Sequence, residues 1–166
     1  MKLLLMRHAD AGSVDPIHYP NDDLRPLSEV GNRVQEDLAR IFKRMDIQPD
    51  HILTSPRLRT LQTATVTAKG LGLEERLMQT DALGKDYSVT AVVTLLATFN
   101  EAETMLCVGH EPDLRELSSA LLGLKSGMGI KFPKSGLMRI DFRAFAKVGA
   151  GHLHFFYRPH DLLALA

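Results

Sequence analysis

Residues 3–12, LLLMRHADAG, set four apolar side chains in a row and then place Arg7 and His8 side by side. The run is far too short to cross a membrane, which takes about 20 apolar residues in a helix. It reads instead as a short strand buried on both faces, the kind that lies inside a parallel sheet covered by helices. In open α/β sheets, ligands bind in the crevice outside the carboxyl ends of the strands. Arg7 and His8 fall at that place.

The remaining pattern extends the same architecture. Residues 11–27 are rich in Pro, Asp and Asn without a clear period and read as a long loop, a class of segment that is usually functional. Ser28 is the expected N-cap of a helix carrying Val30, Val34, Leu38, Ile41 and Met45 and ending near Asp46. HILTS (51–55) is a second strand, after which Ser55 as N-cap and Pro56 at the first helical position predict a helix running to Lys69 and stopped by Gly70. Ser88 precedes a helix with Val89, Val92, Val93 and Leu96. TMLCVG (104–109) is another apolar strand, and Pro112 opens a helix ended by Gly123. A Gly- and Lys-rich loop covers 122–136. Two alternating strands follow, around Met138, Ile140 and Phe142 and around Leu153, Phe155 and Tyr157. The order predicts a three-layer α/β/α sandwich, with a mostly parallel central sheet, antiparallel members and no lid domain.

Composition narrows the function classes. The 166 residues suit a single domain over 1–166, and 20 basic residues balance 20 acidic ones, so no overall field would hold the chain on nucleic acid or an anionic membrane. Any anion site must be local. The one cysteine, Cys107, lies in an apolar strand and reads as a buried small residue in a reducing compartment. The sequence shows neither a signal-peptide pattern nor a long apolar span, which points to the cytoplasm. Nothing in the sequence indicates oligomerisation, and a monomer is expected.

Three polar clusters stand at the ends of predicted strands: Arg7 with His8, Ser55 to Arg59, and Gly109 with His110. If they converge, two histidines and at least two arginines meet in one crevice beside helix N-termini, a combination that suits phosphate. His152 and His154 could face one way as metal ligands, but no carboxylate or thiol cluster accompanies them and a surface strand is the expectation. His18, His51 and His160 are assigned to loops or surface. Lys125, Lys131 and Lys134 read as solvated loop charges, able to attract a phosphoprotein if their loop overhangs the pocket.

RHADA, SPRLRTLQT and VGHEP resemble the signature pieces of the histidine phosphatase superfamily, the phosphoglycerate mutase-like enzymes. The short length and RPLSEVGNRVQEDLA (25–39) resemble its SixA-type phosphohistidine phosphatases. The resemblance implies that His8 is the nucleophile, that Arg7 and Arg59 hold phosphate, that His110 donates a hydrogen bond to it, and that Ser55 belongs to the substrate site. Ser55, Arg59, Thr60, Gln62 and Thr63 match the second motif, so Arg59 and not Arg57 inherits the clamp. Ala9 stands where the wider family mostly has glycine. Asp81 is the nearest match to the family's proton donor. The activity implied is a phosphatase without metal or cofactor, acting through a phosphohistidine intermediate on phosphohistidine in a phosphorylated protein. The alternatives are a phosphatase of a small phosphate ester and a phosphate-binding module without catalysis.

Overall fold

The computed structural model describes residues 1–99, 101–125 and 129–165. Its sheet is built from β1 (Lys2–Arg7), β2 (His51–Thr54), β3 (Leu77–Gln79), β4 (Thr104–Gly109), β5 (Leu137–Asp141) and β6 (His152–Tyr157). The spatial order is β3-β2-β4-β1-β5-β6. The pairs β1–β4, β2–β4 and β2–β3 are parallel, while β5 runs antiparallel to both β1 and β6. The α-helices among the described residues are α1 (Glu29–Arg44), α2 (Leu58–Leu71), α3 (Val89–Ala97), α4 (Asp113–Leu121) and α5 (Pro159–Ala164).

Strand periodicity explains the three layers, because successive side chains of a strand point to opposite faces. Leu3 and Leu5 of β1 join Met105 and Cys107 of β4 in a core closed by Val92 and Leu96 of α3 and Leu114, Leu117 and Leu121 of α4. Leu4 and Met6 join Leu106 and Val108 in a second core closed by Leu38, Ile41 and Phe42 of α1, Ala64 and Ala68 of α2 and Leu162 of α5. Leu3, Leu5 and Ile52 have no exposed surface, and burying such a side chain stabilises by about 1.5–3 kcal/mol. The three-layer sandwich with a mostly parallel sheet is therefore what the sequence predicts, and no lid domain rises above it among the described residues.

Several boundaries differ from the sequence reading. Ser55 does not cap α2; the helix starts at Leu58, with Arg57 at the N-cap, because the Ser55 hydroxyl lies 3.0 Å from His110 Nε2. Gly70 does not stop α2 but lies within it, where a Cβ would stand 2.5 Å from that of Ala39. Its role is to let α2 approach α1. The stop is Gly72, whose φ of 75° is the left-handed conformation glycine adopts without a Cβ clash. Val30 is exposed and lies off the buried stripe of α1, which runs through Gly31, Gln35, Leu38, Ala39, Ile41 and Phe42. His51 opens β2 with its ring 4.7 Å from that of Phe99, and is not a loop residue. The three-residue strand β3 and the short helix α5 were not predicted. The loop expected over 122–136 falls partly on 126–128, which lie outside the described residues.

Parallel register aligns the strand ends. Arg7 of β1 is level with Gly109 of β4, and Thr54 of β2 with Val108. The chain leaving β1 goes to α1 on one face, whereas the chain leaving β4 goes to α4 on the other. That divergence opens the crevice expected of an α/β sheet.

Candidate active site

The residue after each strand remains tied to its neighbour. The His8 N–H donates to the Gly109 carbonyl (3.0 Å) and the Ser55 N–H to that of Val108 (3.2 Å). These continuations bring His8, Ser55 and His110 together. The two imidazoles lie 5.4 Å apart, centre to centre, tilted by 57°, and both are buried along with Arg59.

The tautomer of His8 follows from its partner. Its Nδ1 lies 2.7 Å from the Ala9 carbonyl oxygen, which can only accept, so Nδ1 carries the proton and the lone pair of the neutral ring is on Nε2. Burial, opposed by that hydrogen bond and reinforced by Arg59, Arg7 and Lys134, pushes the His8 pKa down to about 4. At neutral pH the ring is an uncharged nucleophile. The Ala9 N–H is held in turn by Thr63 Oγ1 (3.0 Å), which donates to the Arg59 carbonyl (2.7 Å), so α2 fixes the turn after His8. Gly31 in the first turn of α1 packs so closely on the Asp10 backbone that no Cβ fits.

His110 is set by Ser55. The Ser55 oxygen accepts the Arg57 N–H (3.4 Å) and lies 3.0 Å from His110 Nε2, a contact that fixes the orientation of the ring. Ser55 itself is fully buried, so it bears on the crevice through His110. Burial, with His8 and the arginines adding to it, pushes the His110 pKa down to about 3.

The arginines come next. Arg7 Nη1 donates to the Phe132 carbonyl (2.8 Å), and Arg59 Nη1 to the Asp22 carbonyl (2.8 Å) with the Asp22 carboxylate at 3.2 Å. In both, Nε is buried without a hydrogen-bond partner among the described residues. Each guanidinium is held in place by a backbone carbonyl through Nη1, which fixes the direction of its remaining N–H groups. Gln62 Oε1 accepts the Leu27 N–H (2.7 Å) and ties α2 to the long loop. Arg57 has Nε 2.8 Å from Asp23 and a third of its side chain exposed, while its charge also reaches His110.

Asp81 belongs to the turn after β3 that packs on the start of the second motif, where a Cβ at Gly84 would stand 3.1 Å from Ser55 Oγ. It opens a single 3-10 turn after β3, half-exposed, with Lys85 Nζ 3.6 Å away. Two features carried no sequence signal. Segment 132–136 wraps the first motif through its backbone: Ser135 N–H donates to the Arg7 and His8 carbonyls (3.1 and 3.2 Å), and the Gly136 carbonyl accepts the Arg7 N–H (3.2 Å). Glu111, next to His110, keeps Oε2 buried without a partner among the described residues, and burial raises its pKa.

The model of the histidine phosphatase superfamily (branch 1) matches residues 3–83. An uncharacterized protein of Picosynechococcus sp. is 30% identical over 141 residues, covering 83% of each chain. The solved structure of the protein histidine phosphatase SixA with tungstate superposes with a TM-score of 0.83 at 25% identity, over 98% of this chain and 99% of that one. A structure assigned as SixA from Agrobacterium tumefaciens gives 0.78 at 26% identity, over 95% and 97%. The fold is also that of a phosphoserine phosphatase of Entamoeba histolytica (TM-score 0.70, 16% identity, 95% and 97% covered). An α-ribazole phosphatase of Shigella flexneri shares it as well (0.66, 16%, 89% and 95%). The likeness reaches beyond the motifs to the whole three-layer framework that sets the strand ends side by side, and the chain belongs to the histidine phosphatase superfamily.

Proposed function

We propose that this chain is a metal-independent phosphatase that carries the phosphoryl group on His8 and takes phosphohistidine in a protein as its substrate. One observation supports this above the rest: a neutral imidazole with its proton held on Nδ1 lies within reach of the charges of Arg59 and Arg7, each guanidinium fixed by a backbone carbonyl. Nε2 of His8 attacks phosphorus while the bond to the leaving imidazole breaks; the electron pair departs with that nitrogen, which takes up a proton from solvent. Arg7 and Arg59 balance charge on the equatorial oxygens, the main task in phosphoryl transfer, with the neutral His110 ring as a hydrogen-bond partner. Water then attacks the phosphohistidine, the P–Nε2 bond breaks, and phosphate leaves with the lone pair back on Nε2.

The preference for a nitrogen leaving group rests on the acid. An alkoxide needs a placed donor, worth about 100- to 10,000-fold, whereas imidazole protonates readily near neutral pH. Asp81 lies half-exposed against Lys85. Asp81→Asn is therefore expected to lower phosphohistidine hydrolysis only modestly, since the leaving imidazole protonates without a placed acid, and sugar phosphates are expected to be poor substrates. A small phosphate ester is the second reading, and the partly buried Glu111 carboxyl, next to His110 in the chain with its pKa raised by burial, favours it. Phosphate release from phosphohistidine protein, free phosphohistidine and sugar phosphates decides between them. Faster release from a sugar phosphate, abolished by Asp81→Asn or Glu111→Gln, overturns the first reading.

The guanidinium groups of Arg7 and Arg59 supply the positive charge that a Lewis acid supplies elsewhere. Activity is expected to survive EDTA. Loss of turnover in chelator, restored by zinc or magnesium, would contradict the metal-free mechanism.

A further inference from the structure

Lys134 belongs to the segment that wraps the first motif, and its ammonium is bonded to Asp10, two residues beyond His8. We propose that Lys134 is a third cationic contact for the substrate's phosphoryl group, held on Asp10 and handed to the phosphoryl oxygens when substrate enters. The inference rests on the phosphoryl-transfer reading of the site.

Position comes first. The neighbouring Ser135 N–H is bonded to the carbonyls of Arg7 and His8, and the Phe132 carbonyl holds the Arg7 guanidinium. Lys134 is thus anchored at both sides to the nucleophile's own turn, and its charge reaches the imidazole, where it acts with Arg59 and Arg7 to disfavour protonation.

Charge balance comes next. Arg59 already faces the Asp22 carboxylate at 3.2 Å, and Asp22 also receives Arg25 Nε at 2.7 Å. Part of the Arg59 hydrogen-bonding capacity is therefore engaged within the protein, with Arg25 sharing the Asp22 charge, and a cation able to leave its own partner adds a further contact for the phosphoryl oxygens.

The lysine is also free to move. Asp10 Oδ2 accepts Ser28 Oγ (2.6 Å) and the Gly12 N–H (3.1 Å), so the carboxylate remains held without Lys134. Among the described residues the lysine bonds Oδ1 of a carboxylate that is 38% exposed, where water can replace it. An exposed pair of this kind contributes little net stability, and the four-carbon stem of lysine lets the ammonium reorient as a point charge.

Orthovanadate binding to the full chain, measured by calorimetry, tests this without turnover. Lys134→Met is expected to weaken vanadate about tenfold, the low end for a hydrogen bond between charged groups, with kcat/KM on phosphohistidine falling by a similar factor. Lys134→Arg is expected to restore most of both. Asp10→Asn removes the charge that holds the lysine, and vanadate should bind as tightly as before or more tightly. Unchanged vanadate affinity in Lys134→Met overturns the proposal. So does an equal loss in Asp10→Asn, which would make the pair a structural tie. Absence of vanadate binding to the unmodified protein would overturn the phosphoryl-transfer reading itself, and this inference with it.

Discussion

Replacing His8 with alanine is expected to abolish turnover, on the order of 10⁴-fold or more as for other lost nucleophiles, and to leave no phosphoryl group on the protein. The substitution removes the only imidazole nitrogen set up to attack, since His110 has its Nε2 engaged with Ser55 (3.0 Å). Rapid acid quenching loses a phosphohistidine, so the intermediate is to be trapped under alkaline denaturing conditions and read by mass. The unmodified protein should show one added phosphoryl group on His8. The pH profile checks the same residue independently. His8 must be neutral to attack, and its pKa is pushed down to about 4 by burial and the nearby cations. Activity should therefore persist as pH falls through 6.5, where an ordinary histidine protonates, and decline only as pH approaches 4. The measurement is kcat/KM corrected for uncatalysed acid hydrolysis. An acid limb near 6.5 would mean that the imidazole is solvated and the buried geometry is not the working one.

What the sequence made legible was whatever the local pattern controls. The runs LLLM and TMLCVG are apolar because both faces of β1 and β4 are covered, and the reading of them as buried strands rests on that cause alone. Ser28 and Ser88 cap α1 and α3 by accepting the Gly31 and Ala91 N–H groups, each at 3.0 Å, a purely local bond. Ser55 carries the same local signal, yet tertiary structure took its hydroxyl for His110. The two glycines of α2 show the same limit: Gly70 answers to Ala39 on another helix, and only Gly72 to the backbone. Strand β3 was missed because three residues, LMQ, hold no period to read. The wrap of 132–136 around Arg7 and His8 uses backbone N–H and carbonyl groups that every residue possesses, so no choice of side chain announces it. For the site, the strand-end positions of His8, Ser55 and His110 could be placed in advance. The carboxylates that oppose the arginines could not, since Asp22 and Asp23 meet Arg59 and Arg57 only through the fold of a loop without a period.

Those carboxylates sharpen the second large effect, the contrast between Arg59 and Arg57. Arg59→Ala should lower kcat/KM by at least about 100-fold, the cost of a lost oxyanion donor elsewhere, and Arg57→Ala by no more than a few-fold. The helix should survive both changes, because Thr63 Oγ1 bonds the Arg59 carbonyl, not its side chain. Arg59 is 5% exposed with a buried unpartnered Nε; Arg57 is a third exposed and faces Asp23. Removing Arg59 does more than delete a donor. It leaves the Asp22 carboxylate, formerly 3.2 Å from Arg59 Nη1, to oppose the phosphoryl group with only Arg25 to balance it. The loss in Arg59→Ala therefore contains a repulsive part, and the double variant Arg59→Ala with Asp22→Asn should recover some activity, whereas Asp22→Asn alone should bind vanadate more tightly. Arg59→Lys should recover little, because an ammonium cannot reproduce the planar fork. A mild Arg59→Ala with a crippled Arg57→Ala would place the clamp on the other face of α2. No recovery in the double variant would mean that Asp22 positions Arg59 without competing for it, and the electrostatic opposition assigned to the loop would then be wrong.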